Sequence, residues 1–483
     1  MLGSSIRDRA RSSYMNMVFN GRAQGGTRGM GAAWITATAV LGAFTAAWWI
    51  ELHPGVFTDD SGRYISQAVS GEIDNVKPFF FARFLQFITV GGRFLESAAL
   101  VHAGFAVLIL SRMFAVGWVN RAPVLAMALC AMLVLNPYFA INLFYVQNDL
   151  LFCLAMVAIL VETIHCARLG RIPTGSMVMI VLMAPMALLF RQNGVLFLPF
   201  WVVSLFFLLP RSQAIKASSG VLASCLLALV TMVGVNTETT LNTKYSAVVH
   251  AIAGLSRPEY GKPLAANISP PTRELLGAIR LDGAVDHYSP RFWDFVGFVE
   301  GGPKLQAMSG NQQREIVDSF VRNDLWPNLP GVLGIRTELW ASILLGRGYP
   351  VGAYTVPRWM PESLAGSKIA NPPGGGVLTD AVRLQERTGL LRSALPGLLV
   401  LIVVALGALW RHNSVFLWAS GLLLLQAAVI FLLAPSADTR YLMFLYLAPF
   451  MGLFYHAWFS TSGLSPRDPT LVATGTSVTK EVP

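Results

Sequence analysis

Charge is scarce in this sequence. Asp, Glu, Lys and Arg make up 13% of the 483 residues, against roughly 25% in an average soluble protein. Hydrophobic residues reach 54% and gather in long runs, so few polar side chains remain to cover a soluble globule of this size. The composition excludes an ordinary soluble domain and predicts an integral, multi-pass membrane protein.

Cysteine is scarce as well. All of the cysteines lie in apolar segments, at Cys130, Cys153, Cys166 and Cys225. Their positions exclude a disulfide framework in the polar segment 236–389 and a CxxC metal site. The formal net charge is +10, but the basic residues are scattered over short loops, which indicates orientation in a membrane and no nucleic-acid partner.

The apolar runs predict an all-α polytopic fold, since a helix needs roughly 20 apolar residues to cross a bilayer. We expect about ten transmembrane helices, at Ala32–Ile50, Glu96–Trp118, Ala122–Phe139, Asp149–Cys166, Gly175–Phe190, Gly194–Leu209, Ala217–Val235, Leu390–Leu409, Val415–Leu433 and Tyr441–Phe459. The Phe-rich stretch Pro78–Gly92 is too short to cross and predicts a helix lying in the interface.

Basic residues orient these helices. They occur in the N-terminal tail and in every second connection, at Arg7, Arg9, Arg11, Arg22, Arg28, Arg121, Arg168, Arg171, Arg211, Lys216 and Arg411. The connection Ala140–Asn148 has no Lys or Arg. The positive-inside rule then places both termini in the cytoplasm. The first run lacks a small-residue cleavage pattern, so we expect a retained helix and not a signal peptide.

This topology divides the chain into five parts. They are a basic cytoplasmic tail (1–31), helices one to seven (32–235) with an outer loop (51–95), an extracytoplasmic domain (236–389), helices eight to ten (390–460) and a disordered cytoplasmic tail (461–483). The extracytoplasmic domain is expected to be mainly helical, because Asn311–Asn323 and Pro327–Leu345 have apolar residues at helical spacing.

Three other features of this domain are weaker signals. Asp282, Asp286 and His287 resemble metal ligands faintly, but their spacing fits no defined site. Asn267 begins a match to a glycosylation acceptor, Asn267-Ile268-Ser269, that chance explains better than function does. Asn371–Gly376 is a breaker cluster typical of a loop.

Polar residues recur where the predicted helices end on the outer side. They are Asp59 and Asp60 in the first loop, Asp149 before the fourth helix, Arg191 and Asn193 in one turn, and Asp438, Arg440 and Tyr441 before the tenth. Each alone is consistent with a solvated turn, an interface anchor or, for Asp149, a helix N-cap. Together they predict a functional site, because ionisable groups near the hydrocarbon are costly unless they are paired or functional.

The order of these parts resembles the GT-C superfamily of membrane glycosyltransferases. The run Asp60-Ser61-Gly62-Arg63-Tyr64-Ile65 is similar to the Asp-Glu-x-Arg-Tyr pattern of the aminoarabinose transferases and protein O-mannosyltransferases, and NDLLF, RQNG and DTRYL look like segments of the superfamily. The resemblance implies that Asp60 is the catalytic aspartate and that Arg63 and Tyr64 support it. Ser61 departs from the pattern's Glu, which leaves open whether Asp59 replaces that residue and whether the two acids bind a divalent cation.

The reaction that this resemblance implies sets further expectations. Transfer from a polyprenyl-phosphate sugar needs a base, for which Asp60 is suited, and cations for the departing phosphate. Arg191 and Arg440 are suited to the phosphate, because a guanidinium binds it bidentately and stays charged. The expected partners are this donor, membrane lipids and a lipid, glycan or protein acceptor, and the expected location is a bacterial inner membrane with an extracytoplasmic site.

Two other classes of function stay open on the sequence. A transporter or lipid flippase usually has ionisable residues near the middle of the bilayer and broken helices in paired halves. The predicted spans are nearly free of charge at their centres and show no repeat between halves. A non-enzymatic protein of cell-envelope assembly is the other alternative.

Overall fold

The structure is a computed structural model. It describes residues 26–74, 77–120, 122–236, 243–255, 268–277, 288–289, 291, 309–348, 362–364, 376–388, 392–434 and 436–460. Several of the expectations above lie outside these residues: both tails (1–25 and 461–483), Arg121, Asn267, the Asp282, Asp286 and His287 group, and all of 371–376 except Gly376.

Helices make up most of the described chain. In the first half they are α1 (Gly26–Leu52), α2 (Asp59–Ser70), α3 (Phe79–Ile88), α4 (Glu96–Val119), α5 (Pro123–Leu135), α6 (Pro137–Leu143), α7 (Asn148–Leu169), α8 (Thr174–Leu189), α9 (Gly194–Leu208) and α10 (Arg211–Val230). In the second half they are α11 (Thr243–Leu255), α12 (Pro270–Gly277), α13 (Gly310–Ser319), α14 (Leu329–Leu344), α15 (Val377–Thr388), α16 (Leu395–Trp410), α17 (Ser414–Leu433) and α18 (Met443–Ser460). Shorter elements are a π-helix (Phe320–Asp324), 3-10 turns (Glu362–Leu364 and Thr439–Leu442) and the two-residue strands β1 (Ile73–Asp74) and β2 (Val235–Asn236).

Six helices are long and apolar enough to cross a membrane: α1, α4, α7, α10, α17 and the last span, Thr439–Phe459. A seventh span results if the bent pair α5 and α6 is counted as one. α7 is the central helix, because every residue of its apolar window is buried, whereas only 22% of the corresponding window in α1 is buried. Large apolar side chains of the outer helices face outward, for example Leu227 and Val403, as expected for surfaces that contact lipid.

The third predicted span, Ala122–Phe139, is wrong as one straight helix. The chain bends by 79° between α5 and α6. Asn136 causes the break, since its side chain accepts hydrogen bonds from the backbone N–H groups of Tyr138 and Phe139 and so starts a new helix. Pro137 occupies the first position of α6, where its missing N–H costs nothing.

The first loop is also more ordered than predicted, because Glu51–Ala82 contains helix α2 and the start of α3. The side chain of Thr58 caps α2 by accepting from the N–H of Ser61, and Gly71 ends the helix in a left-handed conformation. Asp59 and Asp60 occupy the first turn, where the helix dipole stabilises negative charge. α3 lies where the sequence predicts the interface helix.

Several contacts join the first loop to the long polar segment at one end of the bundle. Strand β1 pairs with β2 in parallel. The Glu51 carboxylate, near the end of α1, accepts hydrogen bonds from the backbone N–H groups of Leu378 and Thr379 at the start of α15. Within the polar segment, α11, α13 and α14 share a small apolar core of their own around Tyr245, Ile316 and Ile335.

Candidate functional site

The site begins at the first turn of α2. The carboxylate of Asp60 accepts a hydrogen bond from the Lys77 ammonium at 2.7 Å. Lys77 lies just before α3, so this ion pair connects the start of α2 with the segment that precedes α3. Asp59, by contrast, is exposed.

Arg440 approaches Asp60 from the last span. A guanidinium nitrogen of Arg440 lies 3.7 Å from the Asp60 carboxylate, and another lies 3.8 Å from the carboxylate of Asp149. Asp438 holds Arg440 in place, because its carboxylate accepts from the backbone N–H of Arg440 at 3.0 Å and from its Nε at 2.6 Å. Arg440 thereby connects the first loop with α7.

Asp149 and Arg191 form the inner part of the cluster. Their side chains make an ion pair between the first turn of α7 and the α8–α9 turn. The guanidinium of Arg191 lies over the ring of Tyr441, 4.6 Å from the centroid, in cation–π geometry. Asp60, Asp149, Arg191, Arg440 and Tyr441, which the sequence analysis selected separately, therefore form one continuous cluster.

Side-chain exposure falls from one side of this cluster to the other. Asp60 is 38% exposed and Lys77 34%, whereas Arg191 and Arg440 are 20% and 18% exposed. Asp149 is 8% exposed. The site is therefore open at Asp60 and closes toward the central helix α7.

The charges of the cluster fix the protonation state of Asp60. Burial opposes ionisation of the carboxyl group, but the positive charges of Lys77, Arg440 and Arg191 outweigh it and hold the pKa of Asp60 well below its ordinary value. The pKa of Tyr64 is raised by burial and by the Asp60 charge, so this phenol stays protonated and can donate a hydrogen bond.

The turn between α6 and α7, residues 144–147, packs against the cluster. The backbone of Val56 pairs with the strand-like residue Tyr145, whose ring lies under Arg440 at 5.8 Å from the centroid. Gln147 donates from its side-chain amide to Thr58 Oγ1, the N-cap of α2. The ring nitrogens of His102 lie 2.8 and 2.9 Å from the carbonyl oxygens of Leu143 and Gln147. These contacts set the position of α2 against α7.

The structure gives positions or partners for three predicted supporting residues that the sequence left unspecified. Arg63 donates to Asp74 at 2.7 Å and so ties α2 to β1. Asn193 precedes α9 without a side-chain capping bond. Asp149 is not an N-cap, because Gln147 occupies that position of α7 and Asp149 lies within the first turn.

Lys77 and Gln147 are the contributors that the sequence analysis missed. Lys77 lies in a polar stretch between two helices, and no periodic pattern marks it. Gln147 directly precedes Asn148 and Asp149, so its proximity to an expected site residue was the available signal. Neither contact has a local sequence signature, since each joins residues from separate elements.

The described residues contain no group of three or more His, Cys, Asp or Glu side chains that could hold a metal ion. The oxygens of Asp60 face the cations Lys77 and Arg440. These side chains place positive charge beside the carboxylate.

Comparison with known proteins gives a short result. No protein-family model, curated protein or solved structure matches this chain. The likeness of the first loop to a glycosyltransferase motif therefore stays an expectation, and the function has to be argued from the side chains of the cluster.

Proposed function

We propose that this protein is a membrane glycosyltransferase that moves a sugar from a polyprenyl-phosphate carrier to an extracytoplasmic acceptor. The observation that carries the proposal is the convergence of Asp60, Asp149, Arg191 and Arg440 at one end of an apolar helical bundle. A lipid-linked donor needs a membrane for its tail, cations for its phosphate and a base for the acceptor. The bundle and the cluster offer all three.

The proposed topology has ten spans in a bacterial inner membrane. The proposed spans are the six long helices, the bent pair α5 and α6 as one span, and the three shorter apolar helices α8, α9 and α16. The contacts of β1 with β2 and of Glu51 with α15 support one shared side for the first loop and 236–389. The basic connections of the sequence put that side outside the cytoplasm.

Asp60 is the proposed general base. It takes the proton from the acceptor hydroxyl while the acceptor oxygen bonds to the anomeric carbon and the bond from that carbon to the phosphate oxygen breaks. The surrounding cations hold the pKa of Asp60 low, which makes it a weak base. A donor phosphate adds negative charge beside Arg440 and Lys77, weakens their pull on Asp60 and so raises its basicity when substrate is bound.

Arg440 and Arg191 are the proposed phosphate ligands. One terminal nitrogen of Arg440 is buried without a hydrogen bond, and it lies 3.8 Å from the carboxylate of Asp149. An unsatisfied buried guanidinium nitrogen is costly, and a phosphate oxygen would satisfy it with a charge-assisted bond. The departing phosphate then carries its negative charge between two fixed cations, with Tyr441 keeping Arg191 oriented.

The test is sugar transfer by the purified full-length protein in liposomes. Polyprenyl-phosphate sugars with radiolabelled sugar serve as donors, and a membrane extract of the producing cells serves as the source of lipid, glycan and protein acceptors. Asp60→Asn is expected to lower turnover by about 10²–10⁴-fold while donor binding persists. The exposed neighbour is the matched control: Asp59→Asn is expected to be milder, and partial rescue by excess divalent ion would reveal a metal role for Asp59. Near-normal turnover in Asp60→Asn would refute the assignment of the base.

Two observations favour a transport function as the second candidate. α5 and α6 form a broken pair of the kind found in transporters. Arg112 of α4 and Glu162 of α7 form a buried ion pair, at 5% and 2% exposure, so the spans are less free of charge than the sequence suggested. Glu162 is 13 residues beyond Asp149, about 20 Å along α7, and therefore lies away from the cluster.

The contacts of this ion pair indicate a structural role. Arg112 donates two hydrogen bonds to Glu162 and stacks against Trp34 of α1. All of these partners are on helices that pack against α4, so the pair joins α1, α4 and α7. Uptake of a labelled solute or lipid by the reconstituted protein, without sugar transfer, would favour the transport candidate instead.

A further inference from the structure

Gln67 is a buried amide without hydrogen bonds. It lies on α2, is 5% exposed, and neither its side-chain oxygen nor its nitrogen has a hydrogen-bond partner. Among the described residues, no other glutamine or asparagine has both amide atoms buried and unsatisfied. Buried polar atoms are nearly always paired in native proteins, so each exception requires an explanation.

The position of Gln67 connects it with the candidate site. Gln67 follows Asp60 by seven residues, which turns the helix by about 700°, or 20° short of two full turns. Both side chains therefore leave α2 on nearly the same line, about 10 Å apart along the axis. Tyr64 lies between them on that side of the helix and is buried. The separation suits a ligand whose phosphate binds Arg440, next to Asp60, and whose uncharged end reaches Gln67.

Two further buried oxygens near the cluster lack hydrogen bonds. Gln147 donates its amide N–H to Thr58, but its side-chain oxygen has no partner. The hydroxyl of Thr439, between Asp438 and Arg440, also has none. The cluster thus combines satisfied charges with neutral amide and hydroxyl groups that have no hydrogen-bond partner, and a ligand that both donates and accepts would satisfy them.

From this arrangement we infer that Gln67 recognises the hydroxyl groups of the sugar carried by the lipid phosphate. The inference rests on the proposed function and deepens it, because it separates sugar recognition from phosphate binding. A sugar hydroxyl donates to the amide oxygen and accepts from the amide nitrogen, so it satisfies both atoms of Gln67. The phosphate lies at Arg440, and the sugar extends along α2 toward Gln67.

The substitution Gln67→Met separates this role from a purely structural one. Methionine has a similar length and no hydrogen-bonding needs, so the variant is expected to fold and to melt at a higher temperature than the wild type. Gln426→Met is the matched control. Gln426 is a buried glutamine in α17 whose amide nitrogen also lacks a partner, and it lies seven residues, about 10 Å, before the end of the helix near the cluster.

The readout is the affinity of each detergent-purified full-length variant for two probes. One probe is polyprenyl phosphate without sugar, and the other is a panel of polyprenyl-phosphate hexoses and pentoses. Gln67→Met is expected to weaken binding of the preferred sugar-bearing lipid roughly tenfold, as for the loss of one or two neutral hydrogen bonds. Its affinity for polyprenyl phosphate, and both affinities of Gln426→Met, are expected to stay at wild-type values.

Three results would overturn the inference, and they differ from one another. Unchanged affinity of Gln67→Met for every sugar lipid means that Gln67 binds only water. Equal loss of affinity for both probes means that Gln67 acts on the phosphate site or on the fold. Failure of the wild-type protein to bind either probe refutes the proposed function itself, whereas the first two results leave it standing.

Discussion

At Asp60, burial and charge act in opposite directions. The group is only partly buried, and three cations converge on it, so the carboxylate is the stable form. Because its folded pKa is lower than its ordinary value of about 4, the ion pairs of Asp60 add stability above that pH. This contribution is lost as the pH falls through the folded pKa.

Lys77→Met is expected to move the acid limb of the pH dependence of kcat/KM to higher pH. The substitution removes the closest cation while burial, which favours the neutral acid, remains. The measurement is sugar transfer in liposomes at a series of pH values. Arg83→Met is the control, since Arg83 donates to the carbonyl oxygens of Thr231 and Val233 and has no contact with Asp60. If the acid limb of kcat/KM lies at the same pH in Lys77→Met and Arg83→Met, Asp60 does not control the rate.

Arg440→Lys and Arg191→Lys are expected to weaken donor binding although both keep the positive charge. A lysine cannot make the bidentate contact of a guanidinium with phosphate. Loss of one charge-assisted bond of about 1.5–3 kcal/mol corresponds to roughly 10- to 100-fold in Kd. The larger effect is expected for Arg440, which has a buried nitrogen without a hydrogen bond. The measurement is the affinity of each variant for polyprenyl phosphate. Wild-type affinity in both variants would show that these arginines have a structural role and do not bind the phosphate.

At the scale of helices, hydropathy located the long apolar elements well, because burial in lipid demands a long run of apolar residues. Hydropathy failed where a polar side chain determines where a helix begins. Asn136 starts a new helix inside one apolar run, and Thr58 starts α2 inside a stretch whose Asp, Ser and Gly residues suggest a turn. The acidic first turn of α2 and Gly71 at its end were the available signals.

Glu51 provides a test of how these elements are joined. Its carboxylate caps the start of α15 from the end of α1, by accepting hydrogen bonds from Leu378 and Thr379. Glu51→Ala is expected to destabilise α15 by about 0.5–2 kcal/mol, as for loss of an N-cap. Amide hydrogen exchange in 377–388 should then accelerate by roughly 2- to 30-fold.

Two control variants sharpen this prediction. Glu51→Gln keeps one acceptor oxygen and is expected to have a smaller effect on exchange. Asn413→Ala removes the cap of α17, where Asn413 accepts from the N–H of Phe416, and should leave exchange in 377–388 unchanged. Equal exchange in Glu51→Ala and the wild type would show that the end of α1 does not hold α15.

At the scale of the whole molecule, the sequence predicted that Asp60, Asp149, Arg191 and Arg440 share one site, but not that Lys77 joins them or how the side chains are paired. The membrane restricts polar helix ends to two sides, so topology alone brought Asp60, Asp149, Arg191 and Arg440 to the same end. Pairing depends on side-chain packing between distant segments, which leaves no periodic signal. The partners Lys77 for Asp60 and Asp74 for Arg63 were therefore found only in the folded chain.

The proposed orientation of the bundle can be tested with cysteine labelling. The native cysteines are all buried, so a cysteine introduced at an exposed position reports its own side of the membrane. Asn311→Cys, in the exposed first turn of α13, is expected to react with an impermeant thiol reagent in intact cells, because the basic connections place 236–389 outside. Ser212→Cys, exposed at the start of α10, is expected to react only after permeabilisation. The opposite pattern would put the Asp60 cluster in the cytoplasm, and labelling of both positions from one side would contradict the ten-span topology.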